Sequence, residues 1–218
     1  MTRDEYLEQM QNRPDWKPGW EAISDHFTLL YGENAFQYVD AASLFGGYEH
    51  IDGFGVVASP KGYMHIVTSG LTNIRANEDA FGNIVSGWGY EITVKWPGSS
   101  IDDCLDAFKL LSRLAAYAQV KKVRWYNYQA FSLSRLRPVP EIRTDSFAGV
   151  LFTEDTLLPA IDTVNGRVEF LQIVNVTAAE MKRLRSYRHL TRQLAFNLSK
   201  ENPDLQMALT RTTDCLTD

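Results

Sequence analysis

From Trp88 to Trp96 the chain alternates without a break. Trp88, Tyr90, Ile92, Val94 and Trp96 fall on one side, and Gly89, Glu91, Thr93 and Lys95 on the other. Successive side chains of a strand point to opposite faces, so this period of two sets an apolar face against a core. The Glu91 face is then expected to meet water or to line a cleft. Pro97-Gly98 ends the strand, and Ser100-Ile-Asp-Asp103 has the form of a capping box, with Asp in place of the better Glu. Ile101, Cys104, Leu105, Phe108, Leu111, Ala115 and Ala118 then step at three and four, which predicts an amphipathic helix to about Gln119.

Further elements follow by the same logic. Trp20, Ile23, Phe27, Leu30 and Tyr31 mark a helix over residues 19–31, closed by Gly32. Strands are predicted at Phe54–Ser59 and Gly62–Ser69 around the Pro60-Lys61 turn, and at Phe147–Thr153. Asn165-Gly166 joins Ile161–Val164 to Arg167–Val174 as a hairpin, because a type I′ turn needs two residues at positive φ. Gln172, inside an apolar strand, is expected to be a buried amide with assigned partners, since an unpaired one costs ~1–3 kcal/mol. Thr177-Ala-Ala-Glu180 is a second capping box, opening a helix with Met181, Leu184 and Tyr187 that runs to about Leu198. Segments 33–53, 70–87 and 120–145 read as irregular, and a loop as long as 70–87 is usually functional or disordered. Helices and strands do not alternate regularly. The expected fold is therefore α+β, a mixed and mainly antiparallel sheet of about five or six strands with three or four packed helices. The domain is expected over residues 19–199, between a polar lead-in (1–18) and a polar, loosely held tail (200–218).

Charge narrows the partners. Lys and Arg number 22 against 27 Asp and Glu, a net −5. Nucleic acid, which needs a large basic footprint, is therefore not expected as a ligand. The polar N-terminal stretch has no apolar core of a signal peptide, and no run approaches the ~20 apolar residues of a membrane span. With two cysteines, Cys104 and Cys215, at no disulfide or metal spacing, a cytoplasmic placement with no membrane partner is expected. The most basic stretch surrounds Arg124-Trp-Tyr-Asn-Tyr128 and includes Lys121, Lys122, Arg135, Arg137 and Arg143. It reads first as a solvated loop and second as a contact surface for an acidic partner.

Familiar catalytic signatures are missing: no GxxxxGK[ST], no GxGxxG after a strand, no GxSxG. His26, His50, His65 and His189 show no metal-pair spacing. A site built from His50, His65, Glu49 and Glu91, as in a metal-dependent hydrolase, is the weaker reading beside hydrogen-bonded structural residues. Glu154-Asp155 is a candidate carboxylate pair, read first as a solvated turn. No catalytic residue, metal or cofactor is expected.

Several segments together resemble the suppressor-of-fused family, in particular its amino-terminal domain, over roughly residues 19–188. They are Phe45-Gly-Gly-Tyr48, Met64-His-Ile-Val-Thr-Ser-Gly-Leu71, Ser86-Gly-Trp-Gly-Tyr-Glu-Ile-Thr-Val94, Leu110-Leu-Ser-Arg-Leu-Ala-Ala-Tyr117, Leu151-Phe-Thr-Glu-Asp155 and Asn165-Gly-Arg-Val-Glu-Phe-Leu-Gln-Ile-Val174, followed by Thr177–Met181. The resemblance implies an α+β protein-binding module without catalysis. Animal members clamp an extended peptide of Gli-type transcription factors between two domains, of which this chain resembles the first. Shorter bacterial relatives include immunity proteins encoded beside polymorphic toxins, so the partner expected first is a toxin domain, and second an extended peptide segment. Tyr117 matches a groove-lining tyrosine of the animal members. Their acidic groove residue about a dozen positions later has no match in Tyr126-Asn-Tyr-Gln129. Tyr117, Glu91, Trp125 and Tyr128 are the candidate partner-binding residues.

Overall fold

A computed structural model of the protein describes residues 1–33, 35–46 and 50–216. The described strands are β1 (Gln37–Asp40), β2 (Gly53–Ser59), β3 (Tyr63–Ser69), β4 (Val85–Pro97), β5 (Ala130–Ser132), β6 (Gly149–Glu154), β7 (Ile161–Thr163) and β8 (Gly166–Val176). The described α-helices are α1 (Arg3–Asn12), α2 (Pro18–Tyr31), α3 (Ala41–Phe45), α4 (Leu105–Lys121), α5 (Ala178–Ser186) and α6 (Leu190–Glu201). The strands form one sheet in the order β1-β2-β3-β4-β8-β6-β5, with β7 pairing β8 off that line. All pairs are antiparallel except β4–β8, which run parallel from Tyr90↔Glu169 to Thr93↔Gln172.

The α+β class and the mixed, mainly antiparallel sheet are as expected; strands and helices are more numerous. The extra strands β1 and β5 are four and three residues long, too short to show an alternation. The helix expected from 178 to about 198 is two helices, because the chain leaves helical geometry at Tyr187 (φ −136, ψ 77). The capping boxes at Ser100/Asp103 and Thr177/Glu180 both form, the first opening a 3-10 turn ahead of α4.

Helices cover both faces. On one, Tyr90, Ile92, Val94 and Trp96 join Phe54, Ile66, Leu171 and Ile173 against Phe108, Leu111 and Leu114 of α4. On the other, Ile23 and Phe27 of α2 cover Val57, Val67 and Phe170. Met181, Leu184, Leu194 and Leu198 of α5 and α6 cover Leu151, Val174 and Val176 on the same side. Between these two clusters lie Glu91, Thr93 and Lys95, each 0% exposed. The expectation that this side of β4 meets water is thus corrected: alternation shows that a strand has a polar face, not that the face is uncovered.

Segments near both ends of the described residues are packed. Tyr6 of α1 is 0% exposed and its hydroxyl donates to Asn165 Oδ1 at 2.8 Å, and Trp16 is also buried. The C-terminal segment closes an opening in the sheet. Pairing between β4 and β8 stops at Thr93 and Gln172, and beyond it the tail bonds to both strands. Met207 N donates to Lys95 O at 2.8 Å. The Asn175 side chain donates to Ala208 O (2.9 Å) and accepts from Ala208 N (3.0 Å). Gln172 Nε2 donates to Asp204 O and Leu205 O, both at 2.9 Å. Met207 joins the α4-side core, Leu205 the opposite one. Arg211 then pairs with Glu180 at 2.6 and 2.8 Å, and Cys215 N donates to the same carboxylate. A tail expected to be loose is held by backbone and amide hydrogen bonds, which composition does not register.

Candidate functional site

The sheet ends on β5, and the chain reaches it by a fixed route. Lys122 adopts left-handed geometry (φ 54) after α4 and turns the backbone. Trp125 then drops into the core, stacking on Phe152 at 4.8 Å and on Tyr117 at 5.7 Å, with its edge to Phe131. Its Nε1 donates to Leu114 O at 3.3 Å, giving the buried indole the partner such rings require. This anchor leaves Tyr126 and Tyr128 outside, 60% and 38% exposed. Gln129 O accepts from Phe152 N and Leu133 N donates to Ala148 O. By the alternation of an antiparallel pair, Ala130 turns its N–H and C=O, and Ser132 its N–H, away from β6, towards an edge that no described strand occupies.

Beside that edge lies a groove of about 440 Å³. Its floor is Ala130, Met181 and Leu184, and its walls are Tyr126 and Tyr128. Arg135, Arg185 and Arg188 stand at its rim, all exposed, with Arg185 donating to Ser132 Oγ at 3.3 Å. Arg192 of α6 sits over the Tyr128 ring at 5.4 Å, a cation–π contact.

A buried polar cluster lies under the tail. Asp155 accepts from His65 Nε2 (2.9 Å), Thr93 Oγ1 (2.6 Å), Lys95 Nζ (3.3 Å) and the backbone N–H of Leu157 and Leu158. Lys95 also donates to Thr156 Oγ1 and to Gln172 Oε1 (3.0 Å), and His65 Nδ1 meets the Tyr31 hydroxyl at 2.8 Å. Burial alone would raise the Asp155 carboxyl, but the His65 charge and hydrogen bond, then Lys95 and Thr93, outweigh it and hold the group well below the usual range. Burial pulls the Lys95 ammonium down, with Asp155 opposing. Burial pushes the Tyr31 phenol far up, so it stays protonated. The imidazole, carboxylate and ammonium are sealed from solvent. The cluster joins β3, β4, β8 and the turn after β6, and it works as a fastening between strands.

Glu91 is a second fastening. It accepts from the hydroxyls of Thr68 (2.6 Å) and Thr72 (2.7 Å) and from the N–H groups of Gly70, Leu71 and Thr72. Burial raises its carboxyl above the ordinary range, and these donors act against that rise. Glu91→Gln turns one acceptor oxygen into a donor facing other donors, so a loss of ~1–3 kcal/mol is expected. Hydrogen exchange at Gly70–Thr72 should speed up accordingly; unchanged exchange there would show that the loop holds without the carboxylate.

The structure brings Tyr117, Trp125 and Tyr128 together at the α4–β5 end. Tyr117 is half-buried as the platform for Trp125, Trp125 is buried, and Tyr128 alone is exposed. Glu91 lies elsewhere, beneath the turn at 70–72. His50 is beside Gln119 of α4 (3.3 Å), away from the partners of His65, and Glu49 lies outside the described residues. No group of three or more His, Cys, Asp or Glu among the described residues is arranged to hold a metal. Glu154 and Asp155 diverge: Glu154 is exposed and bonded to Asn127, while Asp155 is buried. Sequence reasoning missed Tyr126, Met181, Arg185 and Arg188. The basic stretch at 121–143 was visible in the sequence, and only the fold brings Arg185 and Arg188, from a later segment, to the same groove. No described helix is long and apolar enough to cross a membrane.

Comparison with known proteins supplies the wider frame. A search of curated proteins finds no match. Among solved structures, a chain of the Sufu–Fu complex superposes with a TM-score of 0.72 at 19% identity, covering 91% of this chain and 93% of that one. Drosophila Suppressor of Fused gives 0.72 at 20% identity, with 91% of this chain covering 51% of the longer protein. A suppressor-of-fused homologue from Neisseria gonorrhoeae gives 0.62 at 16% identity, covering 91% and 97%. At such identities the likeness is one of fold. The family model "Suppressor of fused protein (SUFU)" matches residues 47–212, from the glycines before β2 to the tail that closes the sheet, and the chain belongs to that family.

Proposed function

We propose that this chain is a protein-binding module without a catalytic step, and that it takes an extended segment of its partner along the free edge of β5. The observation that carries the reading is that edge itself: Ala130 turns its N–H and C=O away from β6, and Ser132 its N–H, beside a formed groove, while the Ser132 C=O opens the 3-10 turn at Leu133–Arg135. An added strand would pair with the outward groups. A structural relative is held in the Sufu–Fu complex, which supports protein binding as the work this fold is put to. A toxin domain, neutralised by tight one-to-one association as by an immunity protein, is the second reading. The net charge of −5 favours it for a basic partner, since complementary charge raises association rates.

Ser132→Pro separates the two. Ser132 has φ −80, close to the angle proline imposes, so the change removes the outward N–H with little backbone strain. With the partner recovered by co-purification, overlapping peptides from its sequence should include one that binds the parent chain and binds Ser132→Pro at least about tenfold more weakly. If only the intact folded partner binds, and Ser132→Pro leaves its affinity unchanged, strand addition fails and recognition of a folded domain takes its place.

A further inference from the structure

We infer that the groove between residues 126–135 and α5 recognises a carboxylate-rich polypeptide segment, in which Asp or Glu side chains flank a small apolar residue; this rests on the strand-addition reading and specifies its ligand. The charge of the groove is local, because the chain as a whole is acidic. Several arginines elsewhere are paired with carboxylates: Arg124 with Glu169, Arg211 with Glu180, and Arg183, on the same helix as Arg185, with Asp214. Arg135, Arg185, Arg188 and Arg192 have no carboxylate within salt-bridge distance among the described residues. Arg183 of α5 thus has an acidic partner, whereas Arg185 of the same helix, which donates to Ser132 Oγ, and Arg188 in the turn beyond it have guanidinium groups without one among the described residues. Arg185 lies in the last turn of α5 and Arg188 in the turn that follows it, and both line the groove. Such planar forks match a carboxylate with two parallel hydrogen bonds.

The apolar floor decides the class of ligand. Ala130, Met181 and Leu184 offer a seat for a side chain such as Ala or Leu between two acidic ones. A phosphate backbone would leave that floor unfilled, and the space of about 440 Å³ suits a few residues of extended chain. Side chains of an added strand alternate, so those on the α5 side would reach the floor and the rim while its backbone pairs with β5.

The test uses fluorescence anisotropy of the full chain with a short labelled peptide containing Glu-Ser-Leu-Ser-Glu, whose alternate residues put Glu, Leu and Glu on one face. Companion probes are the same peptide with Gln for Glu, a single-stranded oligonucleotide, and vesicles containing phosphatidylserine. The Glu peptide should bind at least about tenfold tighter than its Gln counterpart, with affinity falling as salt rises. R185E/R188E, which alters only exposed side chains, should abolish that preference with an unchanged circular dichroism spectrum. Equal binding of the Glu and Gln peptides, both weakened by S132P, would overturn the acidic preference and leave strand addition standing. A Glu preference abolished by R185E/R188E and untouched by S132P would uphold the groove and remove strand addition. Binding of no peptide, or tighter binding of oligonucleotide or vesicle, would overturn the inference.

Discussion

Ending the chain after Glu201 is expected to abolish cooperative folding. The lost segment contributes the buried side chains Leu205, Met207 and Leu216, each worth ~1.5–3 kcal/mol in burial. Its removal also orphans polar groups. Gln172 Nε2 loses both acceptors, Asn175 loses Ala208, and Glu180 loses Arg211 and Cys215 N. An unsatisfied buried group costs ~1–3 kcal/mol, more when charged. Together the losses are on the order of 10 kcal/mol, comparable with the entire stability of a domain, ~5–15 kcal/mol. Thermal melting followed by near-ultraviolet circular dichroism should lose its transition. A sharp transition within a few degrees of the parent would show that the segment only decorates the sheet. Met207→Ala, a milder probe, should cost ~2–5 kcal/mol.

Asp155→Ala should be the most damaging single substitution, at ~3–5 kcal/mol, because it leaves Lys95 sealed in the sheet without its counter-charge and His65 without its acceptor. Lys95→Met/Asp155→Leu, which removes both charges, should lose less than the sum of the single changes, and a double-mutant cycle in urea measures that difference. The same carboxylate predicts an acid limb. Its folded pKa lies below the unfolded value, ~3.9, so the unfolded chain takes up the proton first. The stability it confers is complete above the unfolded value and drains away as pH falls towards the folded one. Denaturant midpoints measured through that range should fall in the parent and fall less in the double variant. Parallel slopes would place the acid sensitivity in other carboxylates.

The strong elements of the fold were legible because each writes a pattern into the chain: β4, α4 and the caps at Ser100 and Thr177. The hairpin of β7 and β8 also forms, but it turns at Val164-Asn165, with Gly166 already paired to Thr163 and only Gly166 at positive φ, so it is not the type I′ turn expected. What escaped does not depend on periodicity. β1 and β5 are shorter than any pattern, and the tail is held by Gln172 and Asn175, whose reach appears only once the strands are placed. Gln172 itself was readable, since an amide inside an apolar strand must have partners; which partners it has is a tertiary fact. The site divides the same way. Trp125, Tyr128 and Tyr117 were visible as aromatics near the end of a helix. Arg185 and Arg188, some sixty residues beyond Tyr126 in the chain, belong to the same groove only because α5 packs against β5. Glu91 illustrates the opposite case, a polar residue on an alternating strand that serves the loop above it.

The parallel pairing of β4 with β8 also sets an order of events in folding. β1 to β4 form a meander of neighbouring strands that can pair as soon as they exist. The long inner edge of β4, however, waits for β8, whose first residue is Gly166. Until then that edge and the apolar side chains beside it are open, and loops this long close slowly. During synthesis the first half of the chain therefore passes through an interval with an unpaired hydrophobic strand, the condition under which chains of this size associate wrongly. The arrival of β8 ends that interval in one step, since the same strand pairs β4, β6 and β7.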